Sequence, residues 1–190
     1  LNIGSCDAGF IYDSKLFDKR MEFCDALIWT YRGKEIVLKN PNMYGWVKTF
    51  DNSDLVKKVS CKMPISENPI NDHVVSGAFS FKKAYLFFNS IKKMIEANDR
   101  INNEFYVDNI FNHIKNNSIG VFEVKDHFSW GTPDELKSYL AKIKNENLYA
   151  YNVYQIEGEG RSLFSKIEGD EDTIMGLPVK QIKEYLNTIE

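Results

Sequence analysis

Asp7 follows the apolar run Leu1-Asn2-Ile3-Gly4 and stands just ahead of Ala8-Gly9. In open α/β sheets ligands gather at the carboxyl ends of strands, so an acid at this position could hold a magnesium ion. A short acid in a turn can equally cap a helix or close an Asx-turn. Glu104 and Asp108 are four residues apart in a stretch that reads as helix, a spacing that would bring both carboxylates to one face. They could bind sugar hydroxyls or share a cation, or Glu104 could simply complement the positive helix N-terminus. Lys62 lies between a strand and a proline-containing loop, where a lysine can meet a phosphate or remain solvated. His73, His113 and His127 show neither the H-x3-H nor the H-E-x-x-H spacing of a metal site and read as structural. Gly158-Glu159-Gly160 lacks the third glycine of a dinucleotide fingerprint and reads as a turn.

The elements that must position these residues follow from periodicity. Leu1–Cys6 reads as a short buried strand ending in a turn over Asp7-Ala8-Gly9. Asp13 or Ser14 can cap a helix over Lys15–Phe23, with Leu16, Phe17, Met21 and Cys24 on one side. Ala26–Tyr31 is strand-like, and Tyr44–Phe50 and Leu55–Ser60 read as a hairpin around Asp51-Asn52-Ser53. Met63–Asp72 is a loop. His73–Phe81 is a strand with Gly77 at its centre, a position that often marks close approach of a ligand or backbone. Lys82–Ala97 is an amphipathic helix, a second helix is expected over about 103–115, and Ile119–Val124 is a strand. Thr132-Pro133-Asp134-Glu135 carries a hydroxyl cap, proline at the first helical position and glutamate three residues after the cap. Beyond Asn145, strands are expected over Val153–Glu157, Leu163–Ile167 and Thr173–Leu177, then a helix from Pro178. The alternation of strands and helices indicates an α/β domain.

Composition removes several classes of function. Twenty-four basic against 27 acidic residues give a net charge of −3, so there is no electrostatic footprint for nucleic acid or an anionic membrane. No stretch approaches the roughly 20 apolar residues of a membrane helix. Three widely spaced cysteines, Cys6, Cys24 and Cys61, do not make a disulfide framework, and a reducing, cytoplasmic setting is expected. At 43% hydrophobic residues the 190-residue chain has ample material for a core.

Six segments, in order, resemble the sugar-1-phosphate nucleotidyltransferases. Leu1-Asn2-Ile3-Gly4-Ser5-Cys6-Asp7-Ala8-Gly9 is similar to their central strand and metal-binding aspartate, and Asn42-Met43-Tyr44-Gly45-Trp46-Val47 to their Tyr/Phe-Gly-x-Val segment. Val59-Ser60-Cys61-Lys62-Met63-Pro64 resembles the glutamate-lysine-proline strand, with Cys61 in place of the glutamate. Val74–Phe81 resembles the glycine-centred sugar-binding strand, Asn103–Asp108 the glutamate segment that contacts the sugar, and Trp130–Leu136 the Trp…Gly-Thr-Pro end of the catalytic domain.

The resemblance, over residues 1 to about 143, implies a GT-A-like, Rossmann-related mixed sheet flanked by helices, with the N-terminal part missing. It implies magnesium-assisted transfer of a nucleotidyl group from a nucleoside triphosphate to a sugar-1-phosphate, with release of pyrophosphate, in service of nucleotide-sugar and polysaccharide synthesis. Asp7 would ligate Mg2+ and act with Lys62 in catalysis. Tyr44, Gly45, Gly77, Glu104, Asp108, Trp130 and Gly131 would bind substrate. Two departures stand out: the family's N-terminal glycine-rich loop is not found, and Trp130 runs straight into Gly131 where many members place a second metal-binding aspartate. An exposed apolar flank left by a missing segment would favour homo-oligomers.

The tail resembles something else. Tyr154–Gly160, Leu163–Asp170 and Met175-Gly176-Leu177-Pro178 are similar to the C-terminus of Maf-type nucleoside triphosphate pyrophosphatases, which hydrolyse a nucleotide to its monophosphate and pyrophosphate. Gln155 is the one tail residue that could stand near a nucleotide, and it reads rather as structural. These likenesses divide the chain into a partial nucleotidyltransferase domain, 1–146, and a Maf-like strand-strand-helix extension, 147–190. The alternatives to transfer are a Maf-like pyrophosphatase piece and a fused or truncated chain with no complete site.

Overall fold

A computed structural model of the protein describes residues 1–146, together with Glu184 and Asn187. The strands and helix expected in the tail, and Gln155, lie outside the described residues. The chain divides into two units, Leu1–Leu140 and Ala141–Glu190.

The first unit carries the strands β1 (Asn2–Ile3), β2 (Ala8–Ile11), β3 (Ala26–Tyr31), β4 (Gly45–Thr49), β5 (Val56–Cys61), β6 (His73–Phe81), β7 (Ile119–Glu123) and β8 (Asp126–Ser129). The helices are α1 (Ser14–Phe23), α2 (Ile36–Lys39) and α3 (Ala84–Glu96), and α4 (Pro133–Glu146) begins in this unit and continues past Leu140. The main sheet runs β5-β4-β6-β3-β7, with β1 also paired to β6; β2 and β8 form a separate antiparallel pair. The β3–β7 ladder is parallel and the others are antiparallel, so the sheet is mixed.

β3 is buried along its whole length, because both faces of the sheet are covered. Ala26 and Ile28 face a core with Phe79, Phe81, Leu86, Met94, Ile110 and Phe111, closed by α3. Leu27, Trp29 and Tyr31 face a second core with Trp46, Val74, Ala78 and Phe122, against which Phe17 and Met21 of α1 pack. The period-2 alternation of a strand separates the two sets. Burying each large side chain contributes about 1.5–3 kcal/mol, so the two cores hold the sheet from both sides. Among the described residues no helix is long and apolar enough to cross a membrane.

Local chemistry sets the helix starts. Asp13 caps α1 by accepting from the Leu16 amide at 3.1 Å. Thr132 and Glu135 form the reciprocal box expected of their spacing: the Glu135 amide donates to Thr132 Oγ1 at 3.2 Å, and the Thr132 amide donates to Glu135 Oε2 at 3.0 Å.

Three expectations are corrected. The strand expected over Leu1–Cys6 is only two residues long and largely exposed, and it lies on an edge of β6 rather than at the sheet's centre. Ala8 and Gly9 are not a turn but the start of β2, paired to Ser129 and Phe128. No α-helix spans 103–115. Asn102 and Asn103 sit at φ 51° and 66° inside a tight turn in which Ile101 and Glu104 exchange backbone hydrogen bonds. Two successive positive φ values are the hairpin-turn conformation that asparagine tolerates, so a helix cannot begin there. A 3-10 segment, Val107–His113, comes after the turn instead.

Candidate functional site

β1 and β4 share one edge of β6. Ile3 pairs with Phe79 near the end of β6 and Trp46 with Val74 near its start. Between them, along Val75–Ala78, β6 has no strand partner on that edge among the described residues. The opposite edge is irregular at the same place: Ile28 pairs with Phe79 but Thr30 pairs with Val75, so β6 bulges at Ser76-Gly77-Ala78 opposite Trp29. Bulges re-aim side chains and recur beside functional sites. A cleft of about 440 Å³ opens at this gap.

Gly77 makes the bulge. Its φ is +84°, and a Cβ there would stand 2.8 Å from Ser5 Cβ, so both conformation and space demand glycine. Ser5, Asp7 and Ala8 form one rim of the cleft; Met43, Tyr44 and Gly45 at the start of β4 form another. The Asp7 carboxylate is exposed and accepts the Ser5 hydroxyl. Its own carbonyl accepts the Trp130 amide at 2.8 Å, which fixes the end of β8 beside it.

Lys62, after β5, also lines the cleft. Its φ of 60° is a left-handed conformation costly for a lysine. Its ammonium donates to the Met43 carbonyl at 2.6 Å and sits 5.2 Å above the Tyr106 ring. Asp108, 9% exposed, hydrogen-bonds the Cys61 thiol, and burial raises its pKa above the usual carboxylate value. Burial likewise pushes the Cys61 thiol up, with the neighbouring Asp108 charge adding to the effect, so this thiol is no ready nucleophile.

The structure therefore brings Asp7, Tyr44, Gly45, Lys62, Gly77 and Asp108 to one cleft. It does not pair Glu104 with Asp108. Glu104, on the exposed turn, accepts the Tyr106 hydroxyl instead, and Asp108 lies under Gly45. Trp130 and Gly131 stand beside Asp7 rather than in the cleft: the indole packs against Gly9, and a Cβ on Gly131 would fall 2.9 Å from Asp7 Oδ2.

Tyr31, Tyr106, Ser76 and His127 also line the cleft, and none of them is singled out as a site residue by the sequence. His127 reads as structural in the sequence, yet it lines the cleft, stacked on Tyr31 with ring centroids 4.0 Å apart. Burial pushes its pKa down to about 4, while a hydrogen bond to the Ser76 backbone opposes the shift. Its position is visible only through the β2–β8 pairing, which places His127 across from Phe10.

A magnesium ion is usually held by one or two carboxylates together with substrate phosphates and water. The exposed carboxylate of Asp7 at the cleft rim fits that pattern as a single hard oxygen ligand. Among the described residues no three His, Cys, Asp or Glu side chains gather into a self-sufficient metal site.

Comparison with known proteins gives two kinds of likeness. A family model described as Maf-like protein matches residues 105–189. The chain is 79% identical over 56 residues to a nucleoside triphosphate pyrophosphatase of Pelagibacter ubique, a match covering 30% of this chain and 29% of that protein. It is 36% identical over 80 residues to a 7-methyl-GTP pyrophosphatase of Rhizobium meliloti, covering 42% and 37%. The chain thus spans well under half the length of these relatives. Among solved structures, a nucleoside-diphosphate-sugar pyrophosphorylase from Vibrio cholerae aligns with a TM-score of 0.58 at 16% identity, over 74% of this chain and 55% of that one. At that identity the likeness is one of fold.

These matches overturn the transferase reading. The sequence relatives are named as pyrophosphatases, which draws neither a sugar-1-phosphate partner nor nucleotide-sugar and polysaccharide synthesis into the picture. The physical reason for the error is that one fold carries many reactions. The six segments read in the sequence are largely those that build the sheet and its bulge, and they specify a scaffold more strongly than a reaction.

Proposed function

We propose that this chain contributes to a nucleoside triphosphate pyrophosphatase. Water forms a bond to the α-phosphorus, the bond from that phosphorus to the bridging oxygen of the β-phosphate breaks, and the products are a nucleoside monophosphate and pyrophosphate. The observation that carries this reading is the span of the Maf-like match: residues 105–189 include Tyr106, Asp108, His127 and Ser129, all of which line the cleft.

In this reading Asp7 would hold Mg2+, which would offset the negative charge of the triphosphate. Lys62, already tethered to Met43, presents its ammonium to a phosphate oxygen. Tyr44 and Gly45 shape the wall beside it, and Gly77 lets the backbone approach the ligand closely. Asp108, raised by burial, serves as a hydrogen-bonding group on the cleft floor. Trp130 and Gly131 act through Asp7, by fixing its backbone and leaving space at its carboxylate. The sequence-based boundary between residues 1–146 and a Maf-like segment, 147–190, remains part of this proposal, and the family match, from residue 105, begins upstream of it. A GT-A-like arrangement of the first unit is supported by the fold likeness to the Vibrio cholerae pyrophosphorylase.

The test is direct. The full chain is incubated with Mg2+ and, separately, ATP, GTP, CTP, UTP and 7-methyl-GTP, and products are separated by ion-exchange chromatography. Equal amounts of monophosphate and pyrophosphate, formed with no second substrate present, are expected from at least one nucleotide. Intact nucleotide in every reaction would end the proposal.

A further inference from the structure

Ser76 is 3% exposed, and its hydroxyl has no hydrogen-bond partner among the described residues. Such an atom is rare, since leaving a buried hydroxyl unpaired is costly. It lies at the β6 bulge, on the stretch of edge that neither β1 nor β4 covers, and the residue lines the cleft. The unpaired hydroxyl thus belongs to a residue that lines a ligand-sized opening, beside an irregular strand.

Its surroundings say which kind of ligand the opening suits. Along β6, Val74, Ser76 and Ala78 alternate towards the core that holds Tyr31 and Tyr44, so the cleft wall on that side is aromatic. His127 stacks on Tyr31 with 13° between the ring planes, and its ring is fixed by the Ser76 backbone. Burial pushes the Tyr31 phenol up and the His127 imidazole down, so both are uncharged at neutral pH. A phosphate placed against these groups would lose its hydration without gaining a cation. Among the described residues lining the cleft the cation is Lys62, held by the Met43 carbonyl and the Tyr106 ring.

We infer that Ser76, with Tyr31, Tyr44 and His127 around it, forms the subsite for the uncharged nucleoside end of the nucleotide, the Ser76 hydroxyl supplying a hydrogen bond to it. The inference rests on the pyrophosphatase reading for its choice of ligand. A hydroxyl donates and accepts, so it can pair with a base edge or a ribose hydroxyl. Aromatic walls suit a planar ring, because base–aromatic stacking tolerates any base. In this arrangement the phosphates extend towards Lys62 and Asp7, and the affinity for the nucleoside is separable from that for pyrophosphate.

The test uses the full chain and calorimetric titration with adenosine, guanosine, cytidine, uridine and, separately, pyrophosphate with Mg2+. At least one nucleoside is expected to bind, and Ser76→Ala is expected to weaken that binding about tenfold while leaving pyrophosphate binding unchanged. The melting temperature of Ser76→Ala should not fall, since the hydroxyl has no partner among the described residues to lose; a purely structural serine would lower it. Ser76→Cys, close in volume, is the second variant and should show the same selective loss. Equal nucleoside affinity in both variants, no nucleoside binding, or binding of free hexoses in preference to nucleosides would each overturn the subsite. Ser76-dependent nucleoside binding without triphosphate hydrolysis would remove the catalytic reading and leave the subsite. Hydrolysis with Ser76-independent nucleoside binding would do the reverse.

Discussion

Asp108 lies directly beneath Gly45: a Cβ on Gly45 would collide with Asp108 Oδ2 and come within 3.0 Å of Val75 Cγ2. The start of β4 is thus in contact with the buried acid of the cleft floor, and only hydrogen fits between them. Gly45→Ala should push Asp108 and its Cys61 contact aside. The expected cost is about 1–3 kcal/mol, as for other overpacked positions, read by urea unfolding. Turnover of the preferred triphosphate should fall with it. A variant as stable as the wild type would show that the strand and the acid can separate freely.

Two histidines, His73 buried and His127 half-buried, give acid stability a defined direction. His73 accepts or donates at Thr30 Oγ1 over 2.9 Å, and burial lowers its pKa, as it does that of His127. The fold therefore favours the neutral imidazoles, and below about pH 6.5 the unfolded chain binds more protons than the folded one. Stability should be full above that value and decline as pH falls, for His127 until about pH 4. The slope should reach at most about 1.4 kcal/mol per pH unit for each such group. Urea unfolding at pH 7.5, 6 and 5 measures it, and His127→Gln should flatten the decline. An unchanged slope in that variant would mean that His127 is freely protonated in the fold.

The start of α4 depends on a reciprocal pair of hydrogen bonds between Thr132 and Glu135. Thr132→Ala removes the hydroxyl that accepts the Glu135 amide and should cost about 1 kcal/mol. Thermal unfolding checks the loss. Because Glu135 Oε2 lies 3.7 Å from where a Gly131 Cβ would stand, with Asp7 Oδ2 nearer still, the same variant should also lower activity slightly by loosening the rim beside Asp7.

Asp7 is exposed and makes its side-chain contact with Ser5, so its removal should leave the fold intact. Asp7→Ala is expected to reduce triphosphate hydrolysis by about 10²–10³-fold, the scale for losing one preorganised electrostatic contact in a transition state. Chelating Mg2+ should abolish the wild-type activity, and added Mg2+ should restore it in the wild type far more than in the variant. Turnover that is indifferent to both changes would remove Asp7 from the reaction.

How far the sequence is legible depends on the range of the interaction involved. β6 is legible over His73–Phe81, because a strand covered on both faces shows as an apolar run between turn residues. The box at Thr132 and Glu135 is legible because it is complete within four residues. The segment after Asn103 misleads: its apolar spacing suits a helix, but two asparagines at positive φ close a turn that spacing alone does not reveal. β2 leaves no signal of its own, since Ala8–Ile11 becomes a strand by pairing with Asp126–Ser129, far along the chain.

The sequence by itself determined the α/β class and the elements that carry their own caps and periodicity. These are properties of neighbouring residues, fixed by local sterics and by which side chains prefer water. Only the tertiary structure decided that Glu104 and Asp108 part company, that Ser76 is buried with its hydroxyl unpaired among the described residues, and that His127 stands flat on Tyr31 in the same cleft as Asp7. Those outcomes depend on where β1 and β4 leave β6 and on the bulge opposite Trp29, and pairings between distant segments leave no local signature.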